Sequence, residues 1–108
     1  MGAGKYSESI IVFDKSVIKV FEICKNILKK LFYNMQYSNK EKAFIVAKNV
    51  SADFGPAGVI VIVDIKNEDS NRVKISITST DLTDVTWNFN RNVKNVNRLI
   101  DEVANELN

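Results

Sequence analysis

The 108-residue chain has no histidine, one cysteine, one proline, four glycines and one tryptophan. Without an imidazole, Ser-His-Asp and Cys-His catalysis and His-ligated zinc are excluded together. One thiol forms no internal disulfide. No run approaches the roughly 18 consecutive apolar residues of a membrane span, and the N-terminus lacks the apolar core of a signal peptide. Gly2-Ala3-Gly4-Lys5 falls short of a phosphate loop, because no strand precedes it, the spacing is incomplete and Tyr6 stands where Ser or Thr would bind the metal. A net charge of +2 with 26% charged residues is far from the balance of a dedicated nucleic-acid binder.

What is present is a chain with 45% hydrophobic residues, enough for one domain that buries roughly two-thirds of its unfolded surface. Residues 1–5 read as disordered or as an added remnant, and 6–108 as a single α+β domain. The spacing predicts an amphipathic helix over 14–33. At about 100° per residue, Val17, Val20, Phe21, Cys24, Ile27, Leu28 and Leu31 share one side. Asp14 is the expected N-cap, Lys29 and Lys30 suit the negative end of the helix dipole, and Asn34 is the expected left-handed stop. Cys24, central in the stripe, reads as a small buried hydrophobe.

Strands are expected at 6–13, 35–38, 43–49, 59–67 and 72–80, with a charged turn at Asn39-Lys40-Glu41-Lys42 and a loop at 49–58 that holds the only proline. A second helix is expected from about Asn90 to Leu107, with Val93, Val96, Ile100, Val103 and Leu107 on one face. Strand parity then restricts the fold. A crossover helix after the first strand and three hairpin steps leave the fifth strand antiparallel to the first. The expected architecture is a two-layer α+β sandwich, β-α-β-β-β-β-α, whose five-stranded antiparallel sheet has the order 2-3-4-5-1 and carries two antiparallel helices on one face.

The opening ESIIVFDKSVIKVFEICKNILKKLFYNMQYSNKEKAFIVAKN is similar to the strand, "FD", amphipathic helix, short strand, charged turn and strand of bacterial envelope lipoprotein domains. These include the C-type lipoprotein of the outer-membrane β-barrel assembly machinery and lipoprotein families of unknown function. As a whole-chain pattern the arrangement resembles helix-grip or TATA-binding-protein-like small domains. The resemblance implies a non-enzymatic protein-interaction domain, the folded part of a bacterial envelope or periplasmic protein whose leader has been removed. It supplies no catalytic residue, cofactor or metal ligand.

The residues themselves add little chemistry. Asp81 and Asp84, with Thr80 or Thr83, form an acidic pair with too few oxygen ligands for a calcium or magnesium site. Asp64 interrupts an apolar strand beside Lys66 on the same face, an expected pair. Asn49-Val50-Ser51 matches a glycosylation acceptor. In the second helix Arg91, Lys94 and Arg98 precede Asp101, Glu102 and Glu106, so antiparallel helices are expected to gather a basic corner from Lys29, Lys30, Arg91 and Lys94. Nucleic acid is not indicated, since Arg72 to Thr80 offers no stacking aromatic.

One alternative is a binding module for an apolar small ligand between the C-terminal helix and the sheet, entered past Phe54, Trp87 and Phe89. The favoured surface is instead the sheet face away from the helices. Val59 to Val63 and Phe44 to Val46 are apolar on both faces, so Ile60 and Ile62, or else Val59, Val61 and Val63, must point outward with Phe44 and Val46, or Ile45. That predicts a homodimer or another protein partner on this face.

Overall fold

The computed structural model describes residues 5–49, 58–81 and 89–107, the last with side chains from Arg91 onward. The elements follow in the order β1 (Tyr6–Phe13), α1 (Val17–Lys30), β2 (Asn34–Asn39), β3 (Phe44–Asn49), β4 (Val59–Asp69), β5 (Arg72–Asp81) and α2 (Phe89–Leu107). The sheet order is β1-β5-β4-β3-β2 with every neighbour antiparallel, as parity requires. The register also settles which parity faces the helices. Ile45 and Ala47 of β3, Val59, Val61, Val63 and Ile65 of β4, and Val73, Ile75 and Ile77 of β5 are buried in one cluster with both helices.

α1 contributes Val20, Phe21, Cys24, Ile27 and Leu28 to that cluster. Its start departs from the expectation, because the cap is Ser16, whose Oγ accepts the Lys19 N–H at 3.1 Å, and not Asp14. Asp14 sits instead at φ 60 and donates its N–H to the Asn71 carbonyl at 2.9 Å. The chain must reverse between an edge strand and a helix crossing it, and Asp tolerates the left-handed turn that does so.

The stop differs as well. The left-handed residue is Phe32 at φ 68, not Asn34, which already belongs to β2. The Phe32 N–H reaches the Lys29 carbonyl at 3.0 Å and the Tyr33 N–H reaches the Leu28 carbonyl at 2.9 Å. This is the paired closure of a Schellman cap, with phenylalanine where glycine is usual. Ending there turns Tyr33 inward, where it is buried, and leaves Phe32 84% exposed.

α2 buries Val96, Leu99, Val103 and Leu107, but also Asn92 and Asn95, while Val93 and Ile100 are only half-buried. It lies antiparallel to α1. Asn95 meets Tyr33 just past the α1 C-terminus, and Glu102 meets Lys30 one turn earlier.

Two outcomes follow. Replacing Phe32 with glycine removes the steric cost of a left-handed L-residue, about 1–2 kcal/mol, against a smaller loss from a freer unfolded chain. Phe32→Gly is expected to raise Tm by a few degrees; a lower Tm in a thermal melt would contradict the cap assignment. Burial pushes the Cys24 thiol from its ordinary 9.0 up to about 12. Between these values the unfolded thiol ionises and the folded one does not, so stability falls as pH rises through that window. The slope is about 1.4 kcal/mol per pH unit. Urea titrations at pH 8 to 11 should show this extra slope in the parent and not in Cys24→Ala.

Candidate functional site

With both helices on one side, the alternate side chains of every strand are left facing away. On β3 and β4 the apolar ones are Phe44, Val46, Ile60 and Ile62, each half-buried by its neighbours, with Lys48 opposite Ile60 and Asp64 opposite Phe44 on the same face. The ladder places Tyr37 opposite Val46 and Val46 opposite Ile62, with Asn39 opposite Phe44 in the next row. The Tyr37 ring, 46% exposed, packs edge-on against Phe44 with centroids 6.2 Å apart. These five side chains form a continuous apolar patch across β2, β3 and β4. Beyond it the same face is polar along β5 and the start of β1, and exposed apolar side chains return at Ile11 and Phe13 of β1. Ser7 bonds Thr78 at 2.6 Å and Ser9 bonds Ser76 at 2.9 Å across β1 and β5. The expected Asp64–Lys66 pair lies here at 3.6 Å and relieves Lys66, which stands opposite Lys74.

The two edges of the sheet are guarded, and the face is not. β1 presents the carboxylate of Glu8 at a helix-side position of its edge, held by the Tyr6 hydroxyl at 2.8 Å. β2 carries a register shift between Met35 and Tyr37. Misplaced charge and bulges are the usual devices that stop a foreign strand from adding to an edge. Within the row Tyr37, Val46 and Ile62 no charge interrupts the patch, and Lys48 and Asp64 mark its two ends.

A second feature lies on the helix side, at one end of the sandwich. Inward positions that are apolar along the strands become polar there: Asn49 after Ile45 and Ala47, and Ser79 and Asp81 after Val73, Ile75 and Ile77. α2 supplies Asn92 and Asn95 opposite them. The Tyr33 hydroxyl donates to Asn95 Oδ1 at 2.7 Å, Asn95 Nδ2 to Ser79 Oγ at 2.9 Å, Ser79 Oγ to Asn92 Oδ1 at 2.7 Å, and Asn92 Nδ2 to Asp81 Oδ2 at 3.2 Å. Nearby, Asn49 Nδ2 donates to the Leu31 carbonyl at 3.3 Å. Burial pushes the Tyr33 phenol up, opposed by its Asn95 bond and the positive charge of Arg98. Every member of this relay is held by its neighbour, and Ser79 faces amides, which cannot act as a base for a nucleophile. The relay is therefore a latch that fixes α2 on the sheet.

The remaining sequence candidates disperse. Asp81 accepts from Asn92; Asp84 and Thr83 lie outside the described residues. Among the described residues no three Cys, Asp or Glu side chains gather as a metal site. Asn49, the glycosylation candidate, is buried with its amide engaged. The basic corner does not assemble at Lys30. Its ammonium lies 3.5 Å from Glu102, in the acidic half of α2, because α2 is the longer helix and its first turns run past the end of α1. Between α2 and the sheet, Cys24, Leu28, Val63, Ile77, Leu99 and Val103 border a void of about 10 Å³, too small for an organic ligand. The residues read as its entrance, Phe54, Trp87 and the Phe89 side chain, lie outside the described residues. A wider groove of about 460 Å³ runs past Ile18, Lys42 and Ile65, and its polar side is lined by the charged turn residues Lys40, Glu41 and Lys42 with Asn67.

If the relay is a latch, its members are energetically coupled. Asn95→Leu removes the acceptor of the Tyr33 hydroxyl and one of the donors to Ser79, and should destabilise by about 1–3 kcal/mol. Tyr33→Phe in that background should then cost less than it does alone. Urea unfolding of the four proteins measures this, and strict additivity would contradict the latch.

No protein-family model matches the chain, and no curated protein is found similar to it. The function has to be read from the molecule's own surfaces.

Proposed function

We propose that the chain is a non-enzymatic protein-interaction domain that works through the outer face of its sheet, with a second copy of itself as the partner. The observation that carries this reading is the uncovered patch of Tyr37, Phe44, Val46, Ile60 and Ile62. Contiguous apolar surface of this kind marks association sites more often than chance. Its centre is aromatic and β-branched, with Lys48 and Asp64 at its ends and the β5 hydroxyls beside it, the anatomy of an interface core with a polar margin, and Ile11 and Phe13 add apolar surface on β1. The guarded edges favour face packing over strand addition.

The size of the face sets the strength. Five strands ~4.8 Å apart, with about eight residues each at ~3.3 Å, define roughly 600 Å². Two such faces bury on the order of 1,200 Å², the low end of specific interfaces. The association is accordingly weak and concentration-dependent. The resemblance to helix-grip, TATA-binding-protein-like domains of bacterial envelope lipoproteins agrees with an interaction role in the cell envelope. Among the described residues no helix is long and apolar enough to cross a membrane.

The test is solution mass across the micromolar range for the parent and for a variant with Ile60→Lys and Ile62→Lys. The parent should approach dimer mass and bind an apolar dye when dilute, and the variant should remain monomeric and dye-free. A monomeric parent without dye binding, matched by a variant of equal or greater stability, would overturn the reading.

A further inference from the structure

Phe32 is the most exposed large apolar side chain among the described residues, at 84%, and it occupies a backbone position where glycine is favoured. Both features work against the isolated fold. The left-handed φ is costly for a bulky residue, and the ring gains almost no burial in return. Strain kept at an exposed residue points to a role outside the fold. Neither the core nor the outer sheet face uses this ring, because the Schellman closure directs Leu31 and Tyr33 inward on either side of it.

Its surroundings are cationic. Lys29, whose carbonyl accepts the Phe32 N–H, is exposed, while Lys30 in the same turn is paired with Glu102 and adds no free charge. Lys48 stands opposite Asn34 at the start of β2, two residues on. Across the helix pair, exposed Lys94 and Arg98 flank Asn95, the residue that binds Tyr33. Of the acids nearby, Glu102 is taken up by Lys30 and Asp81 receives Asn92, and exposed Asp101 sets one negative charge against the exposed cations Lys29, Lys94 and Arg98.

We propose that Phe32 and this cationic collar form a docking point for an anionic lipid surface. The ring enters the boundary between headgroups and acyl chains while the lysines meet lipid phosphates. A protein partner is less well matched, because an interface hot spot needs a rim of further apolar contacts to exclude water. Phe32 stands instead between exposed Lys30 and Asn34. A bilayer requires only an apolar tip and positive charge around it. The contact is peripheral and shallow. Burying one ring and neutralising several lysines gives reversible binding, sufficient to orient the domain and to add to any other attachment.

The experiment is co-sedimentation of the whole chain with vesicles of pure phosphatidylcholine and with vesicles of mixed phosphatidylcholine and phosphatidylglycerol, at low and high salt. The parent should bind the mixed vesicles, release them at high salt, and bind pure phosphatidylcholine weakly or not at all. Phe32→Gly, which the cap geometry makes no less stable, should lose about tenfold in affinity. Lys29→Gln and Lys48→Gln should each lose about fivefold, and Phe32→Trp should bind at least as well as the parent. Several results would overturn the proposal: no vesicle binding by the parent, equal binding to both vesicle types, or unchanged binding by Phe32→Gly. A Phe32-dependent self-association without lipid would assign the tip to protein contact and overturn it as well.

Discussion

Everything in this domain follows from an imbalance of layers, since a five-stranded sheet has two faces and the described helices cover one of them. The central strand β4 is apolar on both sides, so whichever parity faces the helices, the other is left over. Burial of Val59, Val61, Val63 and Ile65 against α1 and α2 forms the core. The same alternation sends Ile60 and Ile62 outward, beside Val46 and Phe44 of β3. A one-residue shift in register would exchange the two sets. β5 tolerates no such exchange, because its outward residues Lys74, Ser76, Thr78 and Thr80 cannot enter a dry core. The amphipathic strand β5 thus fixes the parity of its neighbour β4, and so decides which branched residues are exposed.

The placement of α2 depends on a different kind of contact. Its apolar stripe of Val96, Leu99, Val103 and Leu107 could slide along the sheet with modest loss, but the relay from Tyr33 through Asn95, Ser79 and Asn92 to Asp81 cannot. Directional bonds in a dry setting specify register more sharply than apolar packing does. They also set the offset of the two helices, which brings Lys30 to Glu102 and leaves Lys94 and Arg98 beside the end of α1. The charge order along α2, unfavourable for its own dipole, is partly answered by this pairing.

Much of the fold was legible because it rests on period. The α1 stripe, the alternation of β5 and the parity of strand directions are properties of spacing, and they give the sheet order without any knowledge of side-chain contacts. The helix boundaries were less legible, since Asp14, Ser16, Phe32 and Asn34 all lie where local preference competes with the path the chain must take. Preference favoured Asp14 and Asn34; the path selected Ser16 and Phe32. The polar relay was missed because asparagine reads as solvent-facing. A signal was nonetheless present: Asn92 and Asn95 continue the helical spacing of Leu99 and Val103, and Ser79 continues the inward parity of Ile75 and Ile77. The outer patch was read as one of two parities, and the register chose between them.

The proposed working surface is the outward half of β3 and β4, and methyl NMR over a dilution series reads it residue by residue. The methyl signals of Val46, Ile60 and Ile62 should shift with protein concentration, while those of Val61 and Val63, one strand position away but under the helices, and of Ile75 on β5 stay fixed. Signals that are constant at all of these positions, or that move at the buried ones alone, would contradict it.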